Sequence, residues 1–335
     1  MQKTLFENEN LIKPLNPAFC IGAVSRSTLL FGDCLIESDK IESGSVDLIL
    51  TDLPYGTVKG MGGDMEKYKH LSNANWDVVI PTENIMQLAN RILRKNGKMV
   101  LTANQPFTTE LISKQIPNLS HSYNMYWDKM HFANCLVANK APVSYIEDVL
   151  VFSKNHDTED LHPLRPYFKK VMDFIGLNLK QINTKLGHRR AEHTFYIDST
   201  QYGLCTDKTY LELIEVFGID KVQGFKPFSE LKEIDEQFKK EFASTFNLWE
   251  GNKYKSNILK YKKDYNGYHP TQKPVLLLED LLKTFSNEND LVVDLTMGSG
   301  STGVACKNTN RNFIGIEKDE NYYNIAVRRF SEYCG

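Results

Sequence analysis

Several apolar runs along the chain are short and lack the strict alternation of a half-exposed strand. Residues 46–51, 98–103, 291–295 and 313–317 therefore read as strands buried on both faces of a parallel sheet. Helical spacing separates them. Across 82–94, Ile85, Leu88, Ala89, Ile92 and Leu93 share one face, cations fill the last turn, and Gly97 stands just beyond as a stop. Pro274 opens another helix, with Val275, Leu278, Leu281, Leu282 and Phe285 turned inward. Alternating strands and helices predict a doubly wound, mostly parallel α/β sheet, and residues 123–127 and 148–152 add two strands near its edge. The pattern is lost between Asn155 and about Asn266, where the chain turns polar, spotted with aromatics and rich in lysine. The predicted organisation is an extended arm over 1–27, with Pro14 and Pro17 discouraging helix, then two halves of one domain at 28–155 and 267–335 around an insertion at 156–266.

Composition narrows the class. With 335 residues, 41% of them hydrophobic, the chain can bury one large core and still spare about a hundred residues for an insertion. The opening residues carry no apolar run fit for a signal peptide, and no stretch approaches bilayer length, so the expected compartment is the cytoplasm. Cys20, Cys34, Cys135, Cys205, Cys306 and Cys334 are scattered without zinc spacing and read as reduced packing thiols; no metal is expected. A formal net charge of −2 excludes coating nucleic acid by bulk electrostatics. Any DNA contact must come from local basic patches.

Near the C-terminus a buried strand runs into Gly298-Ser299-Gly300-Ser301-Thr302-Gly303, then a helix, then a second strand ending at Glu317. Glycines permit a tight turn and close backbone approach, and an acid about twenty residues on suits a pair of ribose hydroxyls, which fits an adenosine-bearing cofactor. A glycine turn closing an ordinary βα unit would look the same in isolation. Asp294, just before the loop, can fix a cationic group such as the ammonium of a methionine moiety. Too little chain follows Gly303 to finish a sheet, so the remaining strands must come from earlier and the order is permuted relative to a Rossmann dehydrogenase.

The strand at 46–51 ends in Asp52-Leu53-Pro54-Tyr55-Gly56, where α/β proteins place their ligands. An adenine amino group is a poor nucleophile because its lone pair is delocalised into the ring. A carboxylate and a backbone carbonyl accepting its two N–H bonds favour the reactive form, and an aromatic can stack on the base. Asp52, the Leu53 carbonyl and Tyr55 supply this set, with Pro54 stiffening the turn.

Taken in order, Phe31-Gly-Asp-Cys34, Asp52-Leu-Pro-Tyr-Gly-Thr57, Trp76-Asp-Val-Val-Ile-Pro81, His269-Pro-Thr-Gln-Lys-Pro274, 294–303 and 312–319 resemble the permuted, beta-class Asp-Pro-Pro-Tyr DNA amino-methyltransferases, especially phage and prophage members. The likeness covers about two-thirds of the chain and implies a circularly permuted Rossmann-like methyltransferase sheet. It implies transfer of a methyl group from S-adenosyl-L-methionine to N6 of a flipped-out adenine, with N4 of cytosine as the alternative. Residue by residue, Asp52, Leu53, Pro54 and Tyr55 would hold the base. Asp33, with Cys34 beside it, would reach the cofactor's adenine, and Glu317, with Lys318, its ribose. Asp294, Thr296, Gly298, Ser299, Gly300, Ser301 and Thr302 would hold its methionine part, and Lys273 its carboxylate. Leu53 departs from the commoner proline and leaves the turn less rigid. Trp76 is unassigned, His269 is structural, and 60–63 is either a lid over the base or a surface loop.

A methyl donor cannot reach an amino group inside a duplex, so double-stranded DNA must be held while the base is flipped, and the insertion is the expected target-recognition domain. Within it, 177–186 has helical spacing and leads into Arg189 and Arg190, a helix-turn-helix-like unit for guanines or phosphates. Lys253 and Lys255, among other lysines and two tyrosines, suit a phosphate track. A homodimer and a cognate restriction endonuclease are the further partners the resemblance allows. C5-cytosine chemistry is excluded, since no cysteine follows a proline. Protein-glutamine methylation is disfavoured by motif order. A nicotinamide oxidoreductase would leave the Asp52–Tyr55 turn idle, and a catalytically silent DNA-binding protein would keep the fold alone.

Overall fold

The computed structural model describes residues 18–21, 26–56, 77–133, 138–155, 162–199, 201–241, 243–264, 268 and 271–332. Trp76, His269 and 60–63 lie outside them. The strands are β1 (Ala18–Ile21), β2 (Arg26–Phe31), β3 (Val46–Thr51), β4 (Leu93–Ala103), β5 (Leu119–Ala133), β6 (Ser144–Lys154), β7 (Ile258–Lys260), β8 (Leu291–Asp294) and β9 (Asn312–Glu317). They form one sheet in the order β1-β2-β9-β8-β3-β4-β6-β5-β7. β2, β9, β8, β3 and β4 run parallel, while β6 is antiparallel to both β4 and β5. The last two strands in sequence thus sit inside the sheet between β2 and β3, the permuted order expected.

Both faces of the sheet are covered, which is why the central strands read as unbroken apolar runs. On β3, Ile49 packs into one cluster with helix α2 (Thr82–Ile92), while Leu48 and Leu50 pack into another with α8 (Val275–Phe285), α9 (Ser301–Asn308) and α10 (Glu320–Glu332). Pro274 is the N-cap of α8, as its position implied. α2 ends two residues sooner than expected. Leu93 already pairs with Val46, and the chain bulges before Lys98 pairs with Leu48. Gly97 is therefore not a helix stop but part of β4, where a Cβ would meet the backbone oxygens of Arg94 and Asp47.

The N-terminal arm is also shorter than expected, because β1 pairs antiparallel with β2 and residues 26 and 27 already belong to the sheet. The stretch expected as an insertion divides in two. Helices α4 (Arg165–Ile175), α5 (Leu179–Leu186), α6 (Asp207–Phe217) and α7 (Phe228–Glu241) enclose a core of their own around Phe168, Ile182, Tyr210, Leu213 and Leu231. Among its described residues no strand forms. From Asn247 onward the chain is back on the main body: the Asn247 N–H donates to the Thr284 carbonyl at 2.8 Å, and β7 extends the sheet beside β5. Two short helices, α1 (Cys34–Glu37) and α3 (Phe107–Ser113), flank the sheet's carboxyl edge.

Candidate active site

A cavity of about 940 Å³ opens over the carboxyl ends of the parallel strands, lined among others by Asp33, Asp52, Tyr55, Lys273, Asp294 and Glu317. That is near the top of the about 300–1,000 Å³ usual for small-molecule sites, room for a cofactor and a base together. β8 and β3 are adjacent, so the glycine loop that follows one and the Asp52 turn that follows the other leave the sheet side by side. Hydroxyls join them. Thr51 Oγ1 donates to Asp294 Oδ1 at 2.9 Å, and Thr296 Oγ1 donates to the Asp52 carbonyl at 2.9 Å.

The glycine loop is built by buried carboxylates. Asp294 accepts from Thr51, from the Thr296 N–H at 3.1 Å and from Thr302 Oγ1 at 2.6 Å. Burial pushes its carboxyl up to about 6, against the pull of those donors. Glu317 accepts from the Gly298 N–H at 2.9 Å and the Asp319 N–H at 2.7 Å, and burial raises its carboxyl too. Gly300 starts α9 in the left-handed region at φ 81°. Gly303 lies flush on Phe330 and Phe313, where any side chain would collide. The buried Arg329 donates to the Ser299 carbonyl at 2.7 Å and closes the loop from behind. Asp33 caps α1 through the Leu35 N–H at 2.9 Å while lining the cavity, with Lys318 Nζ 4.0 Å away. The Cys34 thiol beside it is pushed up to about 12 by burial and so stays protonated.

On the other side, Asp52 is gripped from three directions. Its Oδ1 accepts from Tyr55 Oη at 2.8 Å and from Thr102 Oγ1, and its Oδ2 faces Lys273 Nζ at 2.5 Å. The Tyr55 ring leans on Phe107 at 5.4 Å between centroids, and burial, then the charges of Asp52 and Glu147, hold its phenol far above the ordinary range. Leu53 is buried, Pro54 half-buried, and the turn closes with the Gly56 N–H donating to Asp77 Oδ1 at 2.9 Å. Lys273 reaches a second carboxylate, Glu147 Oε1 at 2.9 Å, which in turn faces Lys129 at 3.3 Å.

Comparison with known proteins decides the family. A family model described as DNA methylase, N6_N4_Mtase, matches residues 46–328, from β3 to α10. This chain belongs to that family. It is 26% identical over 305 residues to the DNA adenine methyltransferase YhdJ of Escherichia coli (strain K12), covering 90% of this chain and 82% of that protein. The fold is shared with the M1.HpyAVI-SAM complex, with a TM-score of 0.50 and 19% identity over 90% of this chain and 99% of that one. It is shared equally with the PvuII DNA methyltransferase (cytosine-N4-specific), with a TM-score of 0.50 and 15% identity over 92% and 87%.

Within this methylase the structure moves several expected residues. Lys273, expected at the cofactor carboxylate, is paired with Asp52 and Glu147 on the Asp52 side of the cavity. Asp294 accepts from two donors of the glycine loop and one at the end of β3, which makes it an organiser of the loop. Lys255 is no phosphate contact: its side chain is 6% exposed and its Nζ sits 2.5 Å from the buried Asp280, which also accepts from Trp249 and Tyr261. Lys253 remains exposed. Arg189 and Arg190 follow α5 as expected but pair with Glu192 and Glu212, and a 3-10 turn at Glu192–Phe195, not a second α-helix, comes next. The sequence reading missed Thr102, Glu147 and Lys129. β6 runs antiparallel to β4, so its beginning lies at the same edge as the parallel strands' ends. Glu147 there stands opposite Trp127, and Lys129, two residues along β5, reaches it diagonally, which left a charged residue next to an apolar run on each strand as the available signal.

Proposed function

We propose that this methylase transfers the methyl group of S-adenosylmethionine to N6 of an adenine flipped out of double-stranded DNA. The observation that carries this is the Thr296 hydroxyl bonded to the Asp52 carbonyl, which fixes the glycine loop and the catalytic turn against one another over one cavity. The cavity fits the donor on this chain's own terms: a left-handed glycine leaves the loop backbone bare, and two buried carboxylates brace it. Asp33, Glu317 and the loop 296–302 would hold the cofactor, whose sulfonium supplies an electrophilic methyl carbon. Asp52 and the Leu53 carbonyl accept the two amino N–H bonds, drawing the nitrogen lone pair out of the ring as positive charge develops. The methylated nitrogen then gives up one of these protons to water, and the departing sulfur would leave as a neutral thioether. Tyr55, its hydroxyl tied to Asp52, offers its ring to the base, and the rate gain comes from positioning rather than from a covalent enzyme intermediate.

Adenine is favoured because a relative matched over most of the chain is named a DNA adenine methyltransferase and because the motif opens with Asp52. N4-cytosine methylation is the second reading, since the amino chemistry is the same and the fold is shared with a cytosine-N4-specific enzyme. Long-read modification sequencing of DNA from cells expressing the protein tests both. N6-methyladenine at a fixed motif is expected; N4-methylcytosine alone would keep the class and change the base.

A further inference from the structure

The reach of Lys273 carries an inference that rests on the methyl-transfer reading above. Asp52 is the group expected to accept an amino N–H, yet here Tyr55 and Thr102 share its Oδ1 and Lys273 stands 2.5 Å from its Oδ2. An amino group entering this site meets a carboxylate that already has a cation on its open oxygen. The same ammonium lies 2.9 Å from Glu147, so on leaving Asp52 it loses one of two ion pairs and keeps the other. Glu147 is buried; burial alone would raise its carboxyl, but Lys273 and then Lys129 hold it below the ordinary range, so it stays ionised and able to receive the lysine. Lys129, with a side chain only 4% exposed, keeps the pair neutral overall. Lys273 itself is held above its ordinary value by Asp52 and Glu147 despite full burial and remains charged in either position.

We infer that Lys273 is a placeholder for the target amino group: it occupies Asp52 while the site is empty and is taken up by Glu147 when the base enters. Glu147 is then a positioning residue that never touches the substrate. Without it the lysine has only Asp52 to pair with and competes with the base throughout turnover. Through the exchange Asp52 keeps the Tyr55 and Thr102 hydroxyls and trades the ammonium for an amino N–H, and with its side chain 26% exposed it carries its charge at a lower cost than a fully buried carboxylate would.

Three variants separate this from a merely structural ion network. Glu147→Gln should lower the single-turnover methyl-transfer rate by about thirtyfold or more with S-adenosylmethionine affinity within about threefold. Glu147→Gln/Lys273→Met removes one acid and one base and should recover most of that loss. Glu147→Gln/Lys129→Met is matched to it in charge but leaves Lys273 on Asp52, and should stay slow. Equal recovery in both double variants would show that charge balance alone matters and would overturn the inference, as would a wild-type rate in Glu147→Gln. Should Glu147→Gln not fold, Lys273→Met decides the matter. With 2-aminopurine at the target position it should flip the base more readily than wild type without cofactor, and reduced fluorescence would overturn the placeholder role. Wild-type protein that transfers no methyl group to DNA would instead defeat the underlying functional reading, an outcome read in the same assay before any variant is compared.

Discussion

The carboxyl edge of the sheet and the helical layer at 162–241 use charge in opposite ways. At the sheet edge Asp294, Glu317, Glu147 and Lys273 are buried and answered by specific donors or counterions. In the helical layer Arg189 and Arg190 are exposed, and their partners Glu192 and Glu212 are near neighbours on the same surface. Buried pairs hold geometry because breaking one leaves an uncompensated charge unless a second partner already stands in place, as Glu147 does for Lys273, whereas surface pairs are screened and exchange partners readily. The first arrangement suits chemistry that needs fixed distances. The second suits arginines that can leave a glutamate for a phosphate or a guanine.

The contrast can be broken at Lys255, a lysine of the helical layer's return path that behaves like one of the sheet edge. Lys255→Ala strands the buried Asp280 and should cost about 3–5 kcal/mol in urea unfolding, while Lys253→Ala on the exposed side should leave the midpoint unchanged. Equal effects would place both on the surface. Glu317→Ala should weaken S-adenosylmethionine at least tenfold, about 1.4 kcal/mol by calorimetric titration, because it removes both the wall of the cavity and the brace on Gly298.

Smaller effects follow from pH and from the arginines. The three donors on Asp294 favour its ionised form, and burial sets its carboxyl near 6. Cofactor affinity should therefore be flat above about pH 7 and fall as pH drops through 6, by no more than about tenfold per unit. Global stability should move the other way over that window, since an acid raised by folding favours the folded state as it protonates between 6 and the ordinary carboxylate range. Asp294→Asn should show no such step in affinity. Arg189→Ala and Arg190→Ala should leave the melting temperature unchanged. If either reads a guanine, its loss relaxes the methylated motif at one position; a phosphate contact instead weakens DNA binding evenly and reduces the salt slope.

The central strands, the permuted order and the pairing of two motifs were legible because burial on both faces leaves unbroken apolar runs and because the glycine loop comes too late in the chain to found its own sheet. Helices α4 to α7 were not foreseen as a packed unit, since their apolar positions are spaced among lysines and aromatics that blur the helical period. Residues 247–264 read as part of the insertion because most of their anchors, Asn247 to Thr284 and Trp249, Lys255 and Tyr261 to Asp280, are side-chain or isolated contacts and β7 is only three residues long, which leaves no periodic signature. Lys273 was legible as a site residue but not by role. Of its partners, Asp52 ends the parallel strand β3, while Glu147 is brought to it by the antiparallel β6, whose direction only the sheet reveals.

Asp52 is where the whole reading can fail. Single-turnover transfer of a tritiated methyl group to DNA, with wild type and Asp52→Ala side by side and cofactor affinity measured on both, tests it most directly. The expected result is a rate lower by about a hundredfold or more with affinity within a few-fold, the mark of an interaction made in the transition state. A wild-type rate in Asp52→Ala, or a loss explained wholly by cofactor binding, would contradict the assignment of this turn to the target base.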